Sequence, residues 1–388
     1  MEKVILYIHQ SSDLYGSDKV LLTLLQKMKG DGHPVVVVVP SHGPLVDELT
    51  GSGIETHIGP VGKIERRMLR GGIMRLGGEI GEAMRFFDRI LAGRPVSLVH
   101  SNTLAVLGGG LWARRRRIPH IWHVHEIPTR PSWLRYVYCL LLLVLSRKVI
   151  FNSHATADFF LQKAPRLGRK SEVIWNGIEI PPVQEQIVPG LLRARLGMAD
   201  GEILLTLVGR INWWKGQTLL VDAASRLWQE GVRNLHFLFV GSTVPGYEHL
   251  LSDLQQAIKA SPARDKLHLL GFQPDIFSVW AETDIAIVPS LEPEPFGLVA
   301  IEAMSMGKPV IASGHGGLIE ILDQGRCGIL IEPGNIDDLV SAIVRLAQSP
   351  DVRASLGAKG LARVSQHFSA ERYVSDVISV YGRYLDCR

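Results

Sequence analysis

The sequence predicts an α/β protein of two Rossmann-like domains, each with a parallel sheet, and a cleft between them. Three observations carry this. Short β-branched runs alternate with helix-length amphipathic segments through most of the chain. The alternation breaks once, at "NGIEIPPVQEQIVPG", where prolines and polar residues mark a linker. At 388 residues the chain is also longer than one hydrophobic core usually serves.

In chain order, "VILYIH" reads as a first strand, followed by a helix from about Ser17 that stops at "KGDGH". "VVVVV", "VSLVH", "HIWHVH" and "KVIFN" read as further buried strands. Beyond the linker come "ILLTLVG", "LHFLFVG", "LHLLGF", "DIAIVPS", "KPVIAS" and "GILIEP", with helical segments between them and a last helix in "SAERYVSDVISVYGRYLDCR". In open α/β sheets ligands sit at the carboxyl ends of strands, so chemistry is expected in the strand-to-helix loops.

Composition narrows the class. The hydrophobic share of 46% and charged share of 21% are those of a folded globular protein. A net charge of +4 does not by itself suggest nucleic acid. Cys139, Cys327 and Cys387 form no CxxC pair, which fits a reducing cytoplasm without a disulfide framework or zinc site. "MEKVILYIHQ" reads as a strand and not as a signal peptide. "YVYCLLLLVL" is too short to span a bilayer and is expected to be a buried helix. There is no D-x-D, G-x-G-x-x-G, P-loop, HExxH or G-x-S-x-G, so the dinucleotide, ATPase, zinc-protease and nucleophile-elbow readings lack support.

Two loops in the second half point to an anionic, hydroxyl-rich ligand. "LVGRINWWKGQTLLVDA" places Arg210 just past a strand and Lys215 shortly before a helix. Forked guanidinium donors and a mobile ammonium suit a diphosphate, although ordinary surface cations would look the same. "LEPEPFGLVAIEA" follows the next strand end at Ser290, with Pro295 where a helix would start. The helix start at Gly297 to Val299 offers amides and a positive dipole end to phosphate. If the stretch were helical throughout, Glu294 and Glu302 would stand on the order of 12 Å apart. An acid/base pair for glycoside hydrolysis needs roughly 5 to 9.5 Å. The two acids therefore suit hydroxyl clusters at either end of a diphosphate.

The first half offers weaker signals. Gly16 lies at a strand-to-helix turn with Ser17 or Asp18 as N-cap, either a plain capped turn or a place for close anion approach. His123 and His125 share one strand face beside Glu126, and His100, Ser101 and Asn102 end another strand. Each could be a core residue or part of a site.

Together these motifs resemble the retaining family 4 glycosyltransferases of the GT-B fold. The resemblance rests on "GR" with Lys215 five residues on, the E-x7-E pair Glu294 and Glu302 within "EPFGLVAIEAMSMGKPVIAS", the following "GGLIEIL", and "VIWNGIEI". It implies an acceptor domain over residues 1–180, a donor domain over 181–368 and a helix over 369–388 crossing back to the first domain. It implies catalytic roles for Glu294, His125, Arg210 and Lys215. Arg210 and Lys215 would hold the diphosphate of a UDP- or GDP-sugar, Glu302 the ribose and Glu294 the transferred sugar. Phe296, Gly297, Leu298 and Val299 would add backbone contacts, Gly16 would approach the diphosphate, and His125 would lie near the sugar. No metal or other cofactor is expected. Ser17 stands where the family usually has a second glycine, and Glu292 is an extra flanking acid.

The implied activity is front-face transfer to a glycan or lipid-linked acceptor in bacterial surface polysaccharide synthesis, by a cytoplasmic protein. An epimerase on the same plan and a non-catalytic sugar-nucleotide binder are the alternatives. For the basic stretch over residues 63–89, a peripheral place on an anionic membrane and a solvated helical face both stand; it includes Arg66, Arg67, Arg70 and Arg75. Arg114 to Arg117 are expected in a solvated turn, without nucleic-acid binding.

Overall fold

The computed structural model describes residues 3–64, 73–180, 190–244 and 246–385. These fall into two compact units, one within Met1–Glu179 and Ser369–Arg388, the other within Ile180–Phe368. All of the "PPVQEQIVP" linker stretch, and Arg66, Arg67 and Arg70, lie outside the described residues.

In the first unit β1 (Val4–Ile8), β2 (Val35–Val39), β3 (Glu55–Ile58), β4 (Val96–Ser101), β5 (His120–Val124), β6 (Lys148–Phe151) and β7 (Ser171–Val173) form one sheet. Its order is β3-β2-β1-β4-β5-β6-β7, with every pairing parallel. Helices cover both faces, so central strands must be apolar on both sides. Val4, Leu6, Ile8, Val36 and Val38 pack with Ala83, Phe87 and Leu91 of the helix Ile73–Leu91. That helix runs through Gly77, Gly78 and Gly81, because its buried stripe outweighs the poor helix propensity of glycine. Arg75 sits on its outside, paired with Glu79 at 3.3 Å.

The second unit repeats the plan with β8 (Ile203–Val208), β9 (Leu235–Val240), β10 (Leu267–Leu270), β11 (Ile285–Val288), β12 (Val310–Ser313) and β13 (Ile329–Ile331). The order is β10-β9-β8-β11-β12-β13, again parallel. The fold is GT-B in type, two Rossmann-like units with parallel sheets. Strand order reverses between β1 and β4 in one sheet and between β8 and β11 in the other, and such switch points are where open α/β sheets bind ligands.

The last helix, Ala370–Leu385, packs against β4 and the helix Gly16–Gly30. The Tyr381 hydroxyl lies 2.7 Å from His100 Nδ1, and Gly177 meets the chain at Ser369 so closely that a Cβ there would stand 2.3 Å from the Ser369 oxygen.

Three local expectations are corrected. The N-cap of the first helix is Tyr15 and neither Ser17 nor Asp18; Asp18 sits one turn in, where its Oδ2 accepts the Tyr15 amide at 2.9 Å. Arg114 to Arg116 are the last turn of the helix Gly108–Arg116, where basic side chains oppose the negative dipole end, and Arg117 caps it at φ +58°. The helix Trp133–Leu145, expected to be buried, is covered on one face only: Leu134, Tyr138, Leu142 and Leu145 are inside, while Trp133, Tyr136, Leu140 and Val144 are exposed. Among the described residues no helix is long and apolar enough to cross a membrane.

Candidate functional site

The second unit assembles its site from three loops at the carboxyl ends of β8, β11 and β12. After β8 the chain folds back on Asn212, whose side-chain oxygen accepts the amides of Trp214 and Lys215 at 3.2 and 3.0 Å. Asx turns of this kind compete well with regular structure at loop starts. Gln217 Nε2 holds the Arg210 carbonyl at 3.0 Å, leaving the guanidinium half-buried at the strand end. The Leu291 amide donates to the Trp214 carbonyl at 2.7 Å and stitches the β11 loop to the β8 loop.

This stitching brings Lys215 and Glu294 together. Lys215 Nζ lies 2.5 Å from Glu294 Oε1, and the Ser290 hydroxyl donates to the same oxygen at 2.6 Å. The ammonium also stands 4.4 Å from the centre of the Trp214 ring, a cation–π contact. Glu294 is only 4% exposed, so its charge depends on these partners. The β12 loop closes over it. The Gly317 amide donates to the Glu294 carbonyl at 2.8 Å, and His315 Nε2 lies 2.9 Å from the Ser290 carbonyl. Burial draws the His315 pKa below its usual value, against the Ser290 contact and the nearby carboxylates of Glu294, Glu292 and Glu332.

Gly316 is what lets the β12 loop come this close. Its φ is +61°, and a Cβ would stand 2.3 Å from the Glu294 oxygen. Gly316→Ala is therefore expected to cost roughly 1–3 kcal/mol for the positive-φ, extended-ψ backbone alone and to displace Glu294. A thermal midpoint and a turnover rate both equal to wild type would show that the loop has room.

The helix expected to start near Pro295 begins instead at Leu298, with Gly297 as N-cap at φ +114°. The residues between Glu294 and Gly297 are not helical, so the expected helical rise between Glu294 and Glu302 does not apply to this stretch. Amides of a first turn have no partner within their own helix, which leaves those of Leu298 and Val299 directed at the loop. Phe296 is a core residue, edge-on to Phe368 at 5.8 Å between ring centres, so only its backbone can serve a ligand. Glu302 is buried on the helix Leu298–Ser305.

The first unit carries a different set at its own switch point. Gly16 opens the helix after β1. His9 Nε2 meets Asp18 Oδ1 at 2.6 Å, Asn102 Nδ2 lies 3.2 Å from His9 Nδ1, and Asn102 Oδ1 lies 3.4 Å from His125 Nε2. One proton arrangement satisfies all three: the amide donates to His9, His9 donates to Asp18, and neutral His125 donates to the amide. Burial pushes His125 down to about 3, which keeps it neutral. It is thus equipped to donate or accept, not to carry charge. The His9–Asp18 pair escaped the sequence reading, because a histidine at the end of an apolar strand carries no local sign of a buried carboxylate partner.

Among the described residues no group of three or more His, Cys, Asp or Glu could hold a metal ion. A groove of about 540 Å³ in the second unit, lined by Gly325, Arg345, Asp351 and Lys359 among others, shares none of the site residues. Chemistry and the switch point, not concavity, select the loops around Lys215.

Comparison with known proteins gives the family. Residues 15–180 match the family described as Glycosyltransferase Family 4, and residues 191–363 match Glycosyl transferases group 1. The chain belongs to the family 4 glycosyltransferases. The chain is 32% identical over 240 residues to D-inositol 3-phosphate glycosyltransferase of Geodermatophilus obscurus, a match covering 58% of the chain and 51% of that relative. It is 28% identical over 219 residues to the uncharacterized glycosyltransferase MJ1607 of Methanocaldococcus jannaschii, covering 55% and 54%. The chain spans about half the length of the curated relatives it matches. Among solved structures, Alr3699/HepE of Anabaena in complex with UDP and glucose aligns with a TM-score of 0.83 at 25% identity, covering 97% of this chain and 99% of that one. Sucrose-phosphate synthase of Thermosynechococcus elongatus shares the fold, with a TM-score of 0.77 at 21% identity over 98% and 99% of the two chains.

Proposed function

We propose that this family 4 glycosyltransferase moves a sugar, with retention, from a nucleoside diphosphate sugar to a glycan or lipid-linked saccharide, in the assembly of a bacterial surface polysaccharide. One observation carries the reading: Lys215 and Glu294, 79 residues apart, meet at 2.5 Å at a strand switch point beside Arg210 and a helix start. An ammonium has three N–H donors, so Lys215 can hold Glu294 and still offer hydrogens to a diphosphate. Breaking the anomeric C–O bond gathers negative charge on the departing phosphate, which Arg210, Lys215 and the amides at Leu298 and Val299 are suited to stabilise. In the retaining route the new C–O bond forms on the face the phosphate leaves, and the acceptor's hydroxyl proton passes to that phosphate. The Anabaena protein crystallised with UDP and glucose favours a UDP-sugar donor here.

The reading is tested by incubating the protein with a panel of UDP- and GDP-sugars. Release of the nucleoside diphosphate, unchanged by chelator and faster with a saccharide acceptor, is expected. Conversion of one nucleotide sugar into another would mean an epimerase. Binding without turnover, whatever acceptor is supplied, would mean a non-catalytic binder.

A further inference from the structure

The first unit carries an apolar face that its own core does not use. On the helix Trp133–Leu145, Trp133 is 49% exposed, Tyr136 57%, Leu140 61% and Val144 47%, with Val137 beside them. At about 100° per residue these five fall within an arc of about 100°. The opposite arc, with Leu134, Tyr138, Leu142 and Leu145, is packed into the sheet. A surface helix normally turns charge to solvent, and one apolar all round is normally buried. This one is neither.

What borders the stripe decides what covers it. Lys163 Nζ lies 5.5 Å from the Tyr136 ring centre, and Arg135 lies against Phe159 at 4.3 Å with one nitrogen on Gln162. At the other end Arg114 Nη1 donates to the Val144 carbonyl at 3.0 Å, and Lys170 Nζ to those of Leu143 and Ser146 at 2.7 and 2.6 Å. Arg130 and Arg147, both exposed, flank the helix in sequence. From Leu111 to Lys170 the sequence has twelve Lys and Arg, against only Glu126 and Asp158. A protein partner could match the apolar stripe, but an apolar strip edged along its length by cations matches a surface of acyl chains beneath anionic headgroups.

We infer that the helix Trp133–Leu145 is a membrane-docking surface, lying in the interface of an anionic bilayer with Trp133, Tyr136, Leu140 and Val144 inserted and the bordering arginines and lysines on headgroup phosphates. Contact is peripheral, since the helix is too short to span. The inference does not depend on the sugar chemistry, and its readout needs no turnover.

The test is co-sedimentation of the full chain with vesicles containing about one-third phosphatidylglycerol in phosphatidylcholine, and with phosphatidylcholine alone. Binding to the anionic vesicles only, weakening as salt rises, is expected. Leu140→Asp/Val144→Asp, both exposed and so tolerated by the fold, is expected to weaken it by at least about tenfold. Arg130→Glu/Arg147→Glu, which leaves the stripe intact, is expected to weaken it severalfold. Circular dichroism of both variants should match wild type. No binding to either vesicle overturns the inference, as does undiminished binding by the apolar double variant. So does a concentration-dependent dimer that this variant abolishes while vesicles stay unbound, because a second copy would then cover the face.

Discussion

Replacing Lys215 by alanine is expected to lower sugar-transfer turnover by about 10²–10³-fold, the size of effect seen when one charge-stabilising donor is removed from an active site. The sequence alone suggests that transfer would suffer far more than stability. The structure adds a cost, because Lys215 is the cationic partner of a carboxylate that is 4% exposed. Removing one member of a buried pair leaves the other uncompensated, at about 3 kcal/mol. Activity and stability must therefore be separated. Lys215→Met/Glu294→Gln leaves the Ser290 hydroxyl a carbonyl oxygen to donate to and removes both charges, so the thermal midpoint should recover while turnover does not. Wild-type turnover in Lys215→Ala would remove this lysine from the site.

Lowering the pH from 7.5 to 5 is expected to destabilise the first unit. His100, His120, His123 and His125 are all buried, and desolvation pushes their pKa values down, to about 3, 4 and 3 for His100, His120 and His125 and well below 6.5 for His123. Above about pH 6.5 they are neutral whether the chain is folded or not. Below it the unfolded chain binds protons that the folded chain refuses, so stability falls with pH until the folded values are reached. Each ring contributes on the order of 2 kcal/mol between pH 7.5 and 5. Glu126 opposes this. Burial raises it to about 7, so it protonates more readily when folded and its contribution grows as pH falls toward 4.5. Four histidines against one carboxyl leave a net loss. Urea midpoints at the two pH values measure it. His123→Phe should flatten the difference, because neither nitrogen of that ring has a hydrogen-bond partner among the described residues. An equal or higher midpoint at pH 5 would show that the buried rings do not control acid stability.

The central strands were legible in the sequence because a strand covered on both faces is a near-continuous apolar run, as "VILYI" and "VVVVV" are. The two edges of the first sheet were not. β3 (Glu55–Ile58) and β7 (Ser171–Val173) are short and partly exposed, and "ETHI" and "SEV" carry no apolar run to mark them. The loops that hold Arg210, Lys215 and Glu294, and the helix after them that carries Glu302, were legible for a related reason: a strand end, a glycine-bounded turn and charged residues occur together within a few positions. Partnership was not. Lys215 with Glu294 and Asn102 between two histidines are pairings that only sheet order brings side by side, while His9 meets Asp18 through the turn of the β1-to-helix connection.

The sequence by itself determined two parallel α/β units and the family to which they belong, because periodicity and turn chemistry are local properties of the chain. Tertiary structure alone decided which charges neutralise one another, which histidines are sealed from water, and which face of "WLRYVYCLLLLVL" stays outside. A helix with apolar residues on nearly every side does not encode its own orientation; the surface it packs against chooses that.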